Sequence, residues 1–95
     1  MRFEWDEEKA RGNYRKHRVL FETATLVFDD PGFVMLPDRD VEGEERWHTL
    51  GSAGDALLLL VAHTLQDDEG EEIVRIISAR KVESHERRLY EASQQ

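Results

Sequence analysis

The sequence contains no cysteine, which excludes a disulfide scaffold, thiolate metal ligands and a cysteine nucleophile. It has only two prolines and no repeat, linker or low-complexity tract. No apolar run approaches the roughly 20 residues that cross a bilayer; the longest, Ala56 to Ala62, has the length of a strand. The N-terminus lacks the apolar core of a signal peptide. The expectation is a soluble cytoplasmic protein with no membrane partner. Walker A, GxGxxG and GxSxG patterns are missing, so nucleotide-dependent and acyl-transfer chemistry have no support. The histidines at 17, 48, 63 and 85 do not fall at HxxxH-type ligand spacing, and neither a metal nor a cofactor is expected.

Positive charge is also short. The 95 residues carry 13 Lys and Arg against 21 Asp and Glu, a net charge of −8. Proteins that grip nucleic acid through phosphates usually present a basic surface, so the total argues against that role. Its distribution is uneven. Lys9, Arg11, Arg15, Lys16 and Arg18 follow one another without an acid between them, and His17 sits among them. A second stretch holds Arg75, Arg80, Lys81, Arg87 and Arg88 against Glu83 and Glu86. The acids concentrate in Asp38 to Glu45 and Asp67 to Glu72. A basic surface is available if the two basic stretches meet in the fold; otherwise they are solvated faces of mixed charge.

At this length one domain, residues 1–95, is expected. Arg2 to Trp5 alternates polar and apolar, as a half-buried strand does. Asp6 reads as the N-cap of a helix with Glu7 and Glu8 in its first turn and Lys16, His17 and Arg18 in its last. Trp5 and Ala10 are spaced as a hydrophobic staple. Phe21, Ala24, Thr25 and Phe28 share one face of a second helix, which Asp29-Asp30-Pro31-Gly32 ends. Phe33 to Leu36 is a short strand, Asp38 to Glu44 a polar connection, and Glu45 to Leu50 a strand with Arg46, His48 and Leu50 on one face and Trp47 and Thr49 on the other. Ala56 to Leu65 is a central strand, Gln66 to Glu71 an acidic hairpin loop and Glu72 to Ala79 a further strand. Ser84 is the expected cap of a last helix ending near Ser93. The order predicts an α+β domain: an antiparallel sheet of about four to five strands with helices packed on one face.

Two blocks of residues resemble the BrnT ribonuclease toxins. The first is Phe3-Glu4-Trp5-Asp6-Glu7-Glu8-Lys9-Ala10, Asn13-Tyr14-Arg15-Lys16-His17, Val19 and Phe21-Glu22. The second is Glu45-Arg46, Arg75-Ile76-Ile77-Ser78-Ala79-Arg80-Lys81, Glu86-Arg87 and Tyr90. Together they span nearly the whole chain in the right order. The resemblance implies a RelE-like fold and a toxin of a type II toxin–antitoxin pair. It further implies metal-free RNA cleavage, inhibition by a BrnA-like antitoxin, and contact with operator DNA only through that antitoxin. Leu20 and Glu83 depart from the family pattern, which favours small hydroxyl residues as helix caps there. A second reading is a binding module that docks the antitoxin without catalysis.

Metal-free RNA cleavage needs a group to take the 2′-OH proton, charge stabilisation at phosphorus, and a proton for the leaving 5′-oxygen. Imidazole titrates near neutrality and serves either proton step; guanidinium holds phosphate oxygens through paired hydrogen bonds. His17 is the first proton-transfer candidate, or a helix-terminal histidine favoured by the dipole. Lys16 is a phosphate contact or a solvated side chain. Arg46 is a phosphate contact or one half of a surface ion pair, and Glu45, pointing to the opposite face, is a possible base or a solvated acid. Arg75, flanked by Ile73 and Ile77, requires a partner or a ligand. In an unbroken strand Arg75 and Arg80 diverge. They share a site only if a bulge intervenes or if Arg80 lies past the strand end, the alternative preferred here. Tyr90 stacks a base, donates a proton, or packs on the sheet. His48 is a secondary acid–base candidate, and His63 reads as a satisfied core histidine.

Overall fold

The computed structural model describes residues 1–95, and the chain begins with the short strand its alternation predicts, β1 (Arg2–Glu4). Asp6 then caps α1 (Glu7–His17), its Oδ1 accepting from the amides of Glu8 at 2.8 Å and Lys9 at 3.2 Å. The helix ends at Arg18, whose left-handed backbone (φ 60°) lets its N–H close on the Tyr14 carbonyl. The second helix, α2 (Phe21–Thr25), starts without a side-chain cap at Leu20 and tightens at once into a 3₁₀ turn over Leu26–Asp29. Of the expected face Phe21, Ala24 and Phe28 enter the core, while the tighter 3₁₀ turn buries Val27 and leaves Thr25 half-buried. Gly51 lets the turn approach the sheet, since a Cβ there would stand 2.7 Å from Val27 Cγ1.

Four long strands follow: β2 (Val34–Val41), β3 (Glu44–Ser52), β4 (Leu58–Asp68) and β5 (Glu71–Lys81). The sheet order is β1-β5-β4-β3-β2. Strands β2 to β5 form the expected antiparallel meander, while β1 pairs β5 in parallel, so the five-stranded sheet is mixed. The polar stretch Asp38 to Glu44 is not a connection. It continues β2 and β3 up to a two-residue turn at Glu42–Gly43 (φ 53° and 81°). The acidic loop likewise shrinks to Glu69–Gly70 (φ 53° and 87°), with Asp67, Asp68, Glu71 and Glu72 still in the ladder. Two positive φ values in succession match the twist of the flanking strands, so acids at these tips do not interrupt pairing.

The two faces of the sheet are covered differently. Leu59, Val61, Val74, Ile76 and Ala79 pack with Val19, Phe21, Ala24, Val27 and Phe28 in the main core, with Phe3 tilted against Phe28 and Trp5 edge-on to Phe21. Past the end of β1 the edge of β5 is closed by α1. The buried Asn13 carboxamide accepts from the Ala79 amide at 3.0 Å and donates to the carbonyls of Ala79 at 2.9 Å and Val19 at 3.0 Å. His63 is fully buried in the core, as expected. Its Nδ1–H donates to the Thr64 carbonyl and its Nε2 accepts from the Thr49 hydroxyl at 2.6 Å. Burial holds its pKa below the ordinary value.

The other face carries the last helix, α3 (Ser84–Ser93). So α1 and α2 occupy one side and α3 the other, where a single covered face was expected. The reason is visible in Leu50 and Leu60, which alternate away from the main core and are buried all the same. The helix is capped at Glu83, and Ser84, expected as the cap, is its first residue; Glu86 reaches back to accept from the Glu83 amide at 2.8 Å. No helix is long and apolar enough to cross a membrane.

Candidate functional site

The register of β5 decides which arginines share a face. Ala62 pairs with Ser78 and His63 with Ile76, so Ile77 is an extra residue and β5 is bulged there. Arg80 is not past the strand end, as preferred from sequence, but inside β5 opposite Leu60. The bulge shifts the alternation by one, and Arg75, Ser78 and Arg80 all face away from the main core, beside Thr64, Ala62 and Leu60 of β4. The expected alternation of β3 holds: Arg46, His48 and Leu50 point to that same face, Trp47 and Thr49 to the core.

The open face is thus ordered in rows across β3, β4 and β5. Arg75 lies opposite the buried Thr64 of β4, and Arg46 on the other side of β4 directly precedes the Trp47–His63 pair. His48, Ala62 and Ser78 form the next row. Neighbouring strands are about 4.8 Å apart and alternate residues about 7 Å apart along a strand.

Carboxylates stand beside these side chains, and Arg46 and Arg75 share one. Arg75 Nη2 donates to Glu44 Oε1 at 2.6 Å, and Arg46 Nε lies 3.7 Å from the same oxygen. Arg46 Nε is buried and has no hydrogen-bond partner. His48 Nε2 stands 3.3 Å from Asp38 Oδ2. Arg80 is bound to Glu86 by both Nη atoms, each at 2.9 Å. That pairing raises the Arg80 pKa and holds the Glu86 carboxyl below its usual range.

The remaining candidates lie outside this set. His17 and Lys16 line a shallow groove between α1 and β5 with Lys9, Gly12, Asn13, Ile77 and Ser78. It reaches the open face only through Ser78, and no hydrogen bond or ion pair joins His17 to Arg46, Arg75 or Arg80. Glu45 is exposed and, as expected, turns away from Arg46. The acid at the arginines is Glu44: β3 begins one residue earlier than its alternation predicts, and two-residue spacing from Arg46 is the signal that finds it. Tyr90 donates its hydroxyl to Asp30 Oδ2 at 2.5 Å, and that bond, with burial, pushes its pKa up to about 12. Burial works to raise the Asp30 carboxyl. Bonds from Tyr90 and the amides of Ser52 and Gly32 outweigh it and hold the carboxyl low. Glu83, His85 and Glu86 bring ligand-type atoms within 4.8 Å of one another, but Glu86 is already committed to Arg80 and the Glu83 amide.

The arrangement is suited to holding a tetrahedral anion over the sheet beside an imidazole with a carboxylate 3.3 Å away. The crystal structure of the Brucella abortus ribonuclease toxin BrnT has the same fold, with a TM-score of 0.66 and 21% identity, over 88% of this chain and 99% of that one. Among curated proteins nothing matches significantly. Over residues 5–86 the sequence matches the family described as "Ribonuclease toxin, BrnT, of type II toxin-antitoxin system". The chain belongs to the BrnT family of ribonuclease toxins.

Proposed function

We propose that this chain is the toxin of a type II pair and a metal-independent endoribonuclease that arrests translation and growth in the cytoplasm. The observation that carries the reading is the sheet face that Arg46 and Arg75 share with the His48–Asp38 pair, with Arg80 farther along the same face. Guanidiniums of Arg46 and Arg75 hold the non-bridging oxygens of the scissile phosphate and stabilise the charge that builds on them. His48, oriented by Asp38, moves the proton. The 2′-oxygen, losing its proton, bonds to phosphorus; the bond to the 5′-oxygen breaks and that oxygen takes a proton. The products are a 2′,3′-cyclic phosphate and a 5′-hydroxyl. His48 takes precedence over His17 because it shares the arginines' face. His17 and Lys16 then contact the RNA backbone along the α1 groove. Arg80, tied to Glu86, fixes α3 beside the site, and Tyr90 anchors the same helix to Asp30.

The partner is a BrnA-like antitoxin, with operator DNA reached only through it, and RNA is the substrate. The net charge of −8 gives weak non-specific grip on RNA and favours a basic antitoxin surface. Antitoxin-free protein incubated with RNA in EDTA is the test: cyclic-phosphate ends are expected, and RNA left intact over a range of salt overturns the reading. The non-catalytic alternative draws on one observation, that Arg75 and Arg80 are already hydrogen-bonded to Glu44 and Glu86. The same assay separates the two.

A further inference from the structure

Two guanidiniums share a single carboxylate at the centre of the open face. Glu44 Oε1 takes the Arg75 bond at 2.6 Å and stands 3.7 Å from Arg46 Nε, while that Nε is buried without a hydrogen-bond partner. The local sum is two positive charges and one negative. The cluster is therefore undercompensated, and it contains a buried donor with no acceptor at bonding distance. A buried donor left in that state costs free energy that a second anionic oxygen would recover. The site is also open: the side chains of Glu44, Arg46 and Arg75 keep 32%, 25% and 42% of their exposure. Glu44 is the first residue of β3, directly after the Glu42–Gly43 turn. Its side chain can swing outward about its own torsions without breaking the ladder.

We propose that Glu44 occupies the seat of a phosphate group, as a built-in anion that the substrate must displace from Arg46 and Arg75. The ligand of the seat is a phosphodiester of RNA, an assignment that rests on the ribonuclease reading above. In the unliganded protein Glu44 keeps the two guanidiniums apart and oriented. Phosphate oxygens replace it on binding, and one of them reaches Arg46 Nε. The exchange makes ground-state binding of any single phosphate weak, so that only RNA with further contacts along the face is held. Glu44 is then a specificity-determining residue, and its removal strengthens anion binding instead of weakening it.

Two probes test this in the full chain: inorganic pyrophosphate, followed by thermal shift, and a 2′-O-methyl RNA oligonucleotide, which cannot be cleaved, followed by fluorescence anisotropy. Glu44→Gln is expected to bind both about tenfold more tightly than the unsubstituted chain, because one competing carboxylate is gone from two guanidiniums. Glu42→Gln removes the same charge from the neighbouring turn and is expected to change either affinity less than about twofold. Adding Arg75→Ala to Glu44→Gln should abolish the gain. A Glu44→Gln protein that binds pyrophosphate no better than Glu42→Gln overturns the seat, and so does a gain that survives Arg75→Ala. Cleavage of RNA by the unsubstituted chain in either of those cases leaves the ribonuclease reading standing. A gain for pyrophosphate with no binding of the RNA probe retains the seat and removes RNA as its ligand.

Discussion

Arg80 and Glu86 are joined by two parallel hydrogen bonds of 2.9 Å, and the Glu86 side chain is only 12% exposed. The pair ties β5 to the first turn of α3, where Glu86 also accepts from the Glu83 amide. Arg80→Ala leaves a mostly buried carboxylate without its cation and is expected to cost about 1–3 kcal/mol in urea denaturation. Loss of toxicity in that variant therefore reports folding before chemistry. Arg80→Lys, which keeps the charge but not the fork, is expected to recover about half of the loss.

The same bond gives an acid-side signature. The Glu86 pKa is held down chiefly by the Arg80 hydrogen bond against the opposing effect of burial. A carboxyl depressed in the folded state contributes stability that is present above its unfolded pKa and is lost as pH falls through the folded one. Between those two values stability is expected to drop, and the drop should be smaller in Glu86→Gln. Equilibrium denaturation at a series of acidic pH values checks it; identical slopes in the two proteins would contradict the pairing.

Tyr90 acts at the opposite end of the scale. Its pKa, raised to about 12 by the bond to Asp30, means that the neutral phenol is favoured in the folded state. That contribution is fully present below the unfolded value near 10 and disappears as pH rises toward 12. Ultraviolet titration of the phenolate should show one of the two tyrosines ionising late, and Tyr90→Phe should remove that late phase. The substitution is expected to cost about 1 kcal/mol, since Asp30 keeps its bonds to the Gly32 and Ser52 amides.

Asn13 is expected to be among the most sensitive positions in α1. Its carboxamide closes the free edge of β5 by three hydrogen bonds, all buried. Asn13→Ala leaves the Ala79 amide and two carbonyls without partners and should cost about 3 kcal/mol. Asn13→Asp should be no better, because a carboxylate cannot donate to the Val19 and Ala79 carbonyls. Thermal denaturation of both variants decides it.

Much of this architecture is legible in the residues. Asp6 announces α1, the alternation of Arg46, His48 and Leu50 against Trp47 and Thr49 fixes the faces of β3, and His63 reads as a core histidine because its neighbours are apolar. What is not legible depends on the partner strand. Asp67, Asp68, Glu71 and Glu72 look like a loop by composition, yet pairing needs only a backbone neighbour and a turn that tolerates positive φ. The bulge at Ile77 leaves no mark on composition, because an extra isoleucine in a β-branched run looks like strand; it is defined only by the register against β4. Arg75 and Arg80 come to one face through that residue alone. Glu44 was hidden by a boundary one residue off, and the parallel pairing of β1 with β5 joins segments too far apart in sequence for local pattern to reveal.

The proposed ribonuclease activity requires that RNA is cut on the open face of the sheet. The direct measurement is the single-turnover cleavage rate of RNA, in EDTA and without antitoxin, for the unsubstituted chain beside His48→Ala and Arg75→Ala, with folding verified by circular dichroism. The expected result is cyclic-phosphate product from the unsubstituted chain and a fall of roughly 10²–10⁴-fold for His48→Ala, the usual contribution of a general acid or base, with Arg75→Ala comparably impaired. Unchanged cleavage by both folded variants would contradict it and move the chemistry off this face.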